Sequence, residues 1–239
     1  GIVTVFACLA TVSALAAGGG YKPVSAKVNL DDQASLQRGA KLFVNYCLSC
    51  HSANFMRYNR VGADLDLTDE QVIDNLMFAS DKIGNTMGIS MASSDAESWF
   101  GVLPPDLSVV SRSRGPDWLY TYLMTFYRDE SRPFGVNNLM FPSVGMPHVF
   151  ERLQGIQQLK AGDTHGSTNP LDALELAEPG SRSAAKFSKD MRDLVNYLVY
   201  LGEPAKLERY DLGMKVIAFL LLLTFLTRAL YKEYWRDVH

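Results

Sequence analysis

Apolar residues recur at helical spacing in four stretches of the chain. Leu36, Ala40, Phe43 and Cys47 share one face of a predicted helix that runs directly into the sequence CLSCH. Three further helices are predicted in LTDEQVIDNLMFA, GPDWLYTYLMTFY and SKDMRDLVNYLVYLG. No run predicts a strand with comparable strength, so residues 18–210 are expected to form one mainly α-helical domain.

Local signals set the expected ends of two of these helices. Thr68 and Gln71 have the spacing of a capping box, and the helix that follows is expected to reach Ala79. Ser188 is the expected N-cap of the last helix, and Gly202 its stop. These signals predict helices of ordinary length for a globular domain.

The C-terminal end of the chain is strongly apolar. Residues 212–231 would span about 30 Å as a helix rising about 1.5 Å per residue, which matches the hydrocarbon core of a bilayer. Lys215 and Arg228 lie near the ends of this run and can extend to the lipid headgroups. Residues 211–231 are therefore predicted to be a transmembrane helix, with residues 232–239 as a short tail.

The N-terminal end is apolar as well. Residues 1–17 are almost wholly apolar or small and end in a sequence that resembles an Ala-x-Ala cleavage site. This pattern is typical of a secretory signal peptide, and a retained second membrane anchor is the alternative. Either interpretation places residues 18–210 outside the cytoplasm and the C-terminal tail inside it.

Composition and cysteine content exclude several classes of protein. The 239 residues are 47% hydrophobic and carry a net charge of −3, with no basic stripe, so a nucleic-acid partner is not expected. The three cysteines are Cys8, in the N-terminal run, and the pair Cys47 and Cys50. One such pair excludes both a disulfide-rich scaffold and a zinc site built from two Cys-x-x-Cys motifs.

The sequence CLSCH is a covalent haem attachment signature. The thiols of Cys47 and Cys50 can add across the two vinyl groups of haem, and His51 then lies beneath the ring and can ligate the iron. A redox dithiol of the thioredoxin type would require a βαβ pattern around the motif, and zinc would require further ligands at short spacing. The helix and the export-like segment before the motif favour haem.

The chain has nine methionines that could supply a second iron ligand. Met146 stands out because Gly145 allows close approach of the backbone and Pro147 stiffens the loop, within the loop-rich residues 128–187. The side chains that compete with it are Met87, Met91, Met140 and, for a bis-histidine site, His148.

Haem also carries two propionates, for which arginine is a strong partner. Arg112 and Arg114 follow LPPDLS and lie close to Trp118 in the sequence. The residues alone leave open whether these two arginines bind a propionate or lie solvated at the surface.

Together these residues resemble the cytochrome c1 family, the haem subunits of the quinol–cytochrome c oxidoreductase (bc1) complex. The matching motifs are RGxxxFxxxCxxCH at residues 38–51, LPPDLS at residues 103–108, the Arg-x-Arg that follows, and Gly145-Met146-Pro147. With the C-terminal apolar run, the resemblance covers nearly the whole chain after the N-terminal segment, and the short form is similar to bacterial members.

The resemblance implies a class I cytochrome c-like fold that carries one covalent haem c. Cys47 and Cys50 would form the thioethers, and His51 and Met146 would ligate the iron. Arg114 would pair with a propionate, while Trp118 stands where relatives often have Tyr. The haem would also pack against Leu103, Pro104 and Pro105.

The resemblance further implies an electron carrier without an acid–base pair, one subunit of a ubiquinol–cytochrome c reductase. The haem would accept one electron from the Rieske iron–sulfur protein and pass it to a c-type cytochrome, while cytochrome b oxidises the quinol. The expected location is the bacterial inner membrane, with the haem domain in the periplasm and the complex dimeric. A membrane-tethered cytochrome of another electron-transfer chain and a haem sensor or structural anchor are the alternatives.

Overall fold

The computed structural model describes residues 21–160 and 168–237. About half of the chain is helical (51%), which confirms the prediction of a mainly helical fold. The α-helices are α1 (Gln33–Tyr46), α2 (Tyr58–Asp64), α3 (Asp69–Leu76), α4 (Ser93–Phe100), α5 (Val110–Arg114), α6 (Pro116–Met124), α7 (Glu151–Gln154), α8 (Ala184–Gly202) and α9 (Lys206–Tyr234), with a 3₁₀ turn at Pro170–Ala173.

The described residues also form three small antiparallel sheets of two strands each, which the sequence pattern did not predict. Their strands have two to six residues, too few for a clear alternation of apolar and polar positions. The pairs are β1 (Ala53–Arg57) with β2 (Thr86–Met87), β3 (Phe126–Arg128) with β4 (Val136–Asn138), and β5 (Gly155–Leu159) with β6 (Leu174–Pro179).

Two of the expected helix boundaries differ in the structure. The capping box at Thr68 is present, but α3 ends at Leu76 because Met77 leaves helical backbone geometry (φ −100°, ψ 72°), so the expected end at Ala79 is wrong. Helix α8 begins at Ala184, four residues before Ser188, because the side chain of Ser183 caps it by accepting from the backbone N–H of Lys186, so the expected N-cap at Ser188 is wrong.

Helices α1 and α8 cross at the centre of the core. A Cβ atom on Gly39 of α1 would lie 2.1 Å from the backbone oxygen of Asp193 in α8, so only glycine permits this approach. The Asp193 carboxylate accepts from Arg38 (2.6 Å) and from the hydroxyl of Ser35 (2.7 Å). These bonds fix the helix that leads into CLSCH.

Helix α9 begins at Lys206 and continues without a break for 29 residues. Within the described residues it is the one helix long and apolar enough to cross a membrane by length and composition. The residues of the predicted span lie inside it. The predicted N-terminal signal or anchor, residues 1–17, lies outside the described residues.

Candidate haem site

The Cys-x-x-Cys-His motif forms a tight turn at the end of α1. Cys47 is the C-cap of the helix, and its carbonyl oxygen accepts from the backbone N–H groups of Cys50 (3.0 Å) and His51 (2.8 Å). Both thiols are free. Cys47 is buried, and this burial, together with the nearby Cys50, raises the pKa of its thiol to about 12. The turn therefore presents two free thiols and an imidazole within five residues.

The ring of His51 has a defined orientation. Its Nδ1 lies 2.8 Å from the carbonyl oxygen of Pro105. Because a carbonyl only accepts, Nδ1 carries the proton and Nε2 is left free to bind a metal. Burial lowers the pKa of His51, against the opposing effects of the Pro105 bond and of Asp106, which favours the neutral ring that metal ligation requires.

Met146 approaches the same space from the loop that follows β4. Its sulfur accepts a hydrogen bond from the hydroxyl of Tyr122 at 3.3 Å. A Cβ atom on the preceding Gly145 would lie 2.8 Å from a methyl of Val102, so a larger residue there would have to displace that side chain. The absence of a side chain at Gly145 therefore leaves room for Val102 beside Met146.

His51 and Met146 line one apolar cavity of about 360 Å³, which Cys47 also lines. A smaller cavity of about 80 Å³ shares His51 and Met146 with it and is lined in addition by Cys50. Because they share these residues, the two cavities are parts of a single site. Leu103, Pro104 and Pro105 all line the smaller part, as the resemblance implies.

The two arginines of the Arg-x-Arg motif have different surroundings. Arg114 lines the larger cavity, and its guanidinium lies 5.0 Å from the ring centre of Trp118. Trp118 in turn stacks on Tyr122 at 5.1 Å. Arg112 instead packs beside Gly202 of α8, where a Cβ atom would lie 3.3 Å from its Cγ. The structure therefore places Arg114, and not Arg112, at the site.

The rival iron ligands occupy other places. Met87 is buried and its sulfur accepts a hydrogen bond from the hydroxyl of Tyr197 at 3.5 Å, and Met140 is buried two residues after β4. His148 is stacked on Phe126 with ring centres 4.9 Å apart, and burial lowers its pKa to about 4. Met91 lies in the loop before α4. None of these four lines either part of the cavity.

Sequence reasoning missed two polar residues at this site. Tyr122 lies four residues after Trp118 on α6, so a helical projection of this segment would have placed both rings on one face. Asp106 lies next to Pro105 in LPPDLS, and only the fold brings it to the residues after His51. No sequence signal indicated that Asp106 would accept hydrogen bonds from Ser52 and Asn54.

The residues fit a covalently bound haem. Two free thiols, a free imidazole nitrogen, a thioether and an arginine surround one apolar cavity, which matches the chemistry of haem c. Among the described residues, no group of three or more His, Cys, Asp or Glu is placed to hold a metal ion. The zinc interpretation of CLSCH therefore has no support in the described part of the chain.

Comparison with known proteins shows the family to which the chain belongs. Residues 25–238 match the sequence model of the Cytochrome C1 family. The chain belongs to the cytochrome c1 family. Members carry covalently bound haem c and transfer electrons in a bc1 complex, which are the cofactor and the general role of this chain.

The relatives match along most of their length. Cytochrome c1 of Allochromatium vinosum is 48% identical, covering 100% of this chain and 98% of the relative. A protein of Nitrosomonas europaea named ammonia monooxygenase gamma subunit is 46% identical, covering 97% and 95%. Cytochrome c1 of Rhodospirillum rubrum is 28% identical, covering 87% and 83%. A solved chain of a hyperthermophilic respiratory complex III aligns with TM-score 0.40 and 15% identity, covering 100% and 89%.

Replacing Tyr122 with Phe should lower the midpoint potential of the haem by about 20–60 mV. The hydroxyl withdraws electron density from the Met146 sulfur, and a net hydrogen bond of about 0.5–1.5 kcal/mol corresponds to that range for one electron. An equilibrium redox titration measures the shift. Tyr127→Phe, which removes a hydroxyl from β3, should leave the potential unchanged; equal potentials for both variants would show that the sulfur bond has no effect.

The two arginines provide a matched pair of variants. Arg114→Gln should lower the midpoint potential by on the order of 40 mV, because removing a cation from the cavity favours the oxidised state by roughly 1 kcal/mol. Arg112→Gln should have no such effect, since that side chain packs against α8. A larger shift for Arg112→Gln would contradict the expected pairing of Arg114 with a propionate.

Proposed function

We propose that this member of the cytochrome c1 family relays single electrons from the Rieske iron–sulfur protein to a c-type cytochrome. The observation that carries the proposal is the presence of His51 and Met146 on one cavity. With two protein side chains available as iron ligands, a bound haem would change oxidation state without exchanging a ligand. When bound, the haem supplies a one-electron couple, and the remaining groups tune it.

Each residue of the site has a definite part in this proposal. Cys47 and Cys50 tether the group, and His51, polarised by the Pro105 carbonyl, is the electron-rich ligand. Met146 is the softer ligand, and methionine raises the potential relative to histidine. Arg114 neutralises a propionate.

The exposed segment at residues 102–105 supports a route for electrons at the edge of the site. Val102 and Leu103 are about half exposed, and both line the smaller part of the cavity. Apolar side chains at the surface permit close approach of a partner while keeping water from the iron ligands. No step in this relay moves a proton or binds a substrate.

We also propose the arrangement of the chain in the bacterial inner membrane. Residues 18–210 form the periplasmic haem domain, residues 211–231 cross the membrane and residues 232–239 lie in the cytoplasm. The length and apolar composition of α9 support the span. Residues 1–17 are a signal peptide or a second anchor. Cytochrome b and the Rieske protein are the partners in a dimeric complex.

Stopped-flow mixing tests the relay. Full-length chain in detergent should be reduced by pre-reduced Rieske protein and then reoxidised by an oxidised c-type cytochrome, both followed in the haem α band. Reduction by dithionite but not by the Rieske protein would contradict the proposal. Co-purification separates the alternatives, because a cytochrome of another electron-transfer chain would not bring cytochrome b and an iron–sulfur protein with it.

A further inference from the structure

A single carboxylate joins the two segments that meet beneath the iron ligand. Asp106 follows Pro105 and accepts three hydrogen bonds. Its Oδ2 accepts from the hydroxyl of Ser52 (2.7 Å) and from the backbone N–H of Asn54 (2.8 Å), while Oδ1 accepts from the backbone N–H of Ser108 (2.8 Å). Two of these donors lie in the segment directly after His51.

The backbone strengthens the same junction. The N–H of Leu107 donates to the carbonyl of Ser52 at 2.8 Å, and the N–H of Phe55 donates to the hydroxyl of Ser108 at 3.1 Å. Residues 52–55 and 105–108 are thereby held side by side. Asp106 is the one side chain of this junction that bonds to both segments through an ionic group.

These bonds close a small ring around the iron ligand. His51 is bonded to Pro105 through Nδ1, Pro105 is followed by Asp106, and Asp106 bonds to Ser52, the residue after His51. We propose that Asp106 is a positioning residue that holds the Pro105 carbonyl on His51 and so sets the redox potential of the haem. This inference rests on the proposed haem site.

The carboxylate is charged at neutral pH. Partial burial opposes its ionisation, but the bonds from Asn54, Ser108 and Ser52 outweigh that effect and hold the pKa of Asp106 below its usual range. A fixed negative charge next to His51 and a well-aligned Nδ1 bond both favour the oxidised iron. Loosening the ring should therefore raise the potential.

The charge of Asp106 and its hydrogen bonds could each change the midpoint potential, and separate variants test the two effects. Asp106→Asn removes the charge and part of the bonding, whereas Ser52→Ala keeps the charge and removes one bond. Glu130→Gln, at an exposed carboxylate between β3 and β4, is the control for loss of a charge elsewhere. The readouts are the midpoint potential of the full-length protein in detergent and its content of covalent haem.

At a fixed ambient potential, Asp106→Asn should raise the ratio of reduced to oxidised protein about tenfold, which corresponds to 59 mV for one electron. Ser52→Ala should raise it about twofold, and Glu130→Gln should leave it unchanged. If Asp106→Asn does not assemble haem, the change in midpoint potential of Ser52→Ala still decides whether the hydrogen bonds of Asp106 set the potential.

Two results would overturn the inference. If Asp106→Asn changes the midpoint potential and Ser52→Ala does not, the charge of Asp106 alone is responsible. If neither variant changes the midpoint potential, the hydrogen-bonded ring around His51 does not affect it. Because an equilibrium potential requires no partner protein, either result leaves the electron relay to be judged by the stopped-flow exchange.

Discussion

Met146→His should keep the covalent haem and lower its midpoint potential by on the order of 0.2 V, a fraction of the roughly 0.8 V range that axial ligands cover. Imidazole donates more strongly to oxidised iron than a thioether does, so the oxidised state gains stability. Met146 is the methionine whose sulfur reaches the cavity shared with His51. A redox titration with spectra of both oxidation states measures the change.

Met91→His is the matched control for this variant. Met91 was a rival ligand from the sequence and lies in a loop that does not line the cavity. Its replacement should leave both potential and spectrum at the parent values. If Met91→His lowered the potential and Met146→His did not, the assignment of the second iron ligand would be wrong.

Gly39→Ala should destabilise the domain by about 3 kcal/mol. The new methyl group would lie 2.1 Å from a backbone oxygen of α8, which cannot move aside as a flexible side chain would. Alanine favours helix over glycine by up to about 1 kcal/mol, so a net loss shows that the clash prevails. Thermal unfolding of the haem-loaded protein should show Tm lowered by roughly 6–12 °C.

Gly84→Ala provides the comparison, because nothing lies within 4 Å of a Cβ atom there. Its free energy of unfolding should stay within about 0.5 kcal/mol of the parent. Equal stability of the two variants would mean that α1 and α8 do not cross as closely as described.

The parts of the site that are local in sequence were predictable. CLSCH at the end of an amphipathic helix specifies two thiols and an imidazole in one turn, and the same turn is present in the structure. Gly145 and Pro147 singled out Met146, which lines the cavity, and Gly145 leaves room beside it for the side chain of Val102. In each case the constraint acts within a few residues.

The parts that depend on contacts between distant segments were not predictable. Asp106 bonds to residues more than fifty positions away, and nothing in LPPDLS indicates that partner. Arg112 and Arg114 differ in their surroundings, because Arg112 lies beside Gly202 of α8 whereas Arg114 lines the cavity. The short strands likewise depend on partners elsewhere in the chain, as β1 and β2 illustrate.

The most direct test of the covalent haem site is a pyridine haemochrome spectrum of the purified full-length chain after extraction with acid acetone. Thioethers at Cys47 and Cys50 predict that the haem stays with the protein and shows the α band of a haem whose vinyl groups are both saturated. Haem that passes into the acetone and shows the α band of ordinary b-type haem would contradict it.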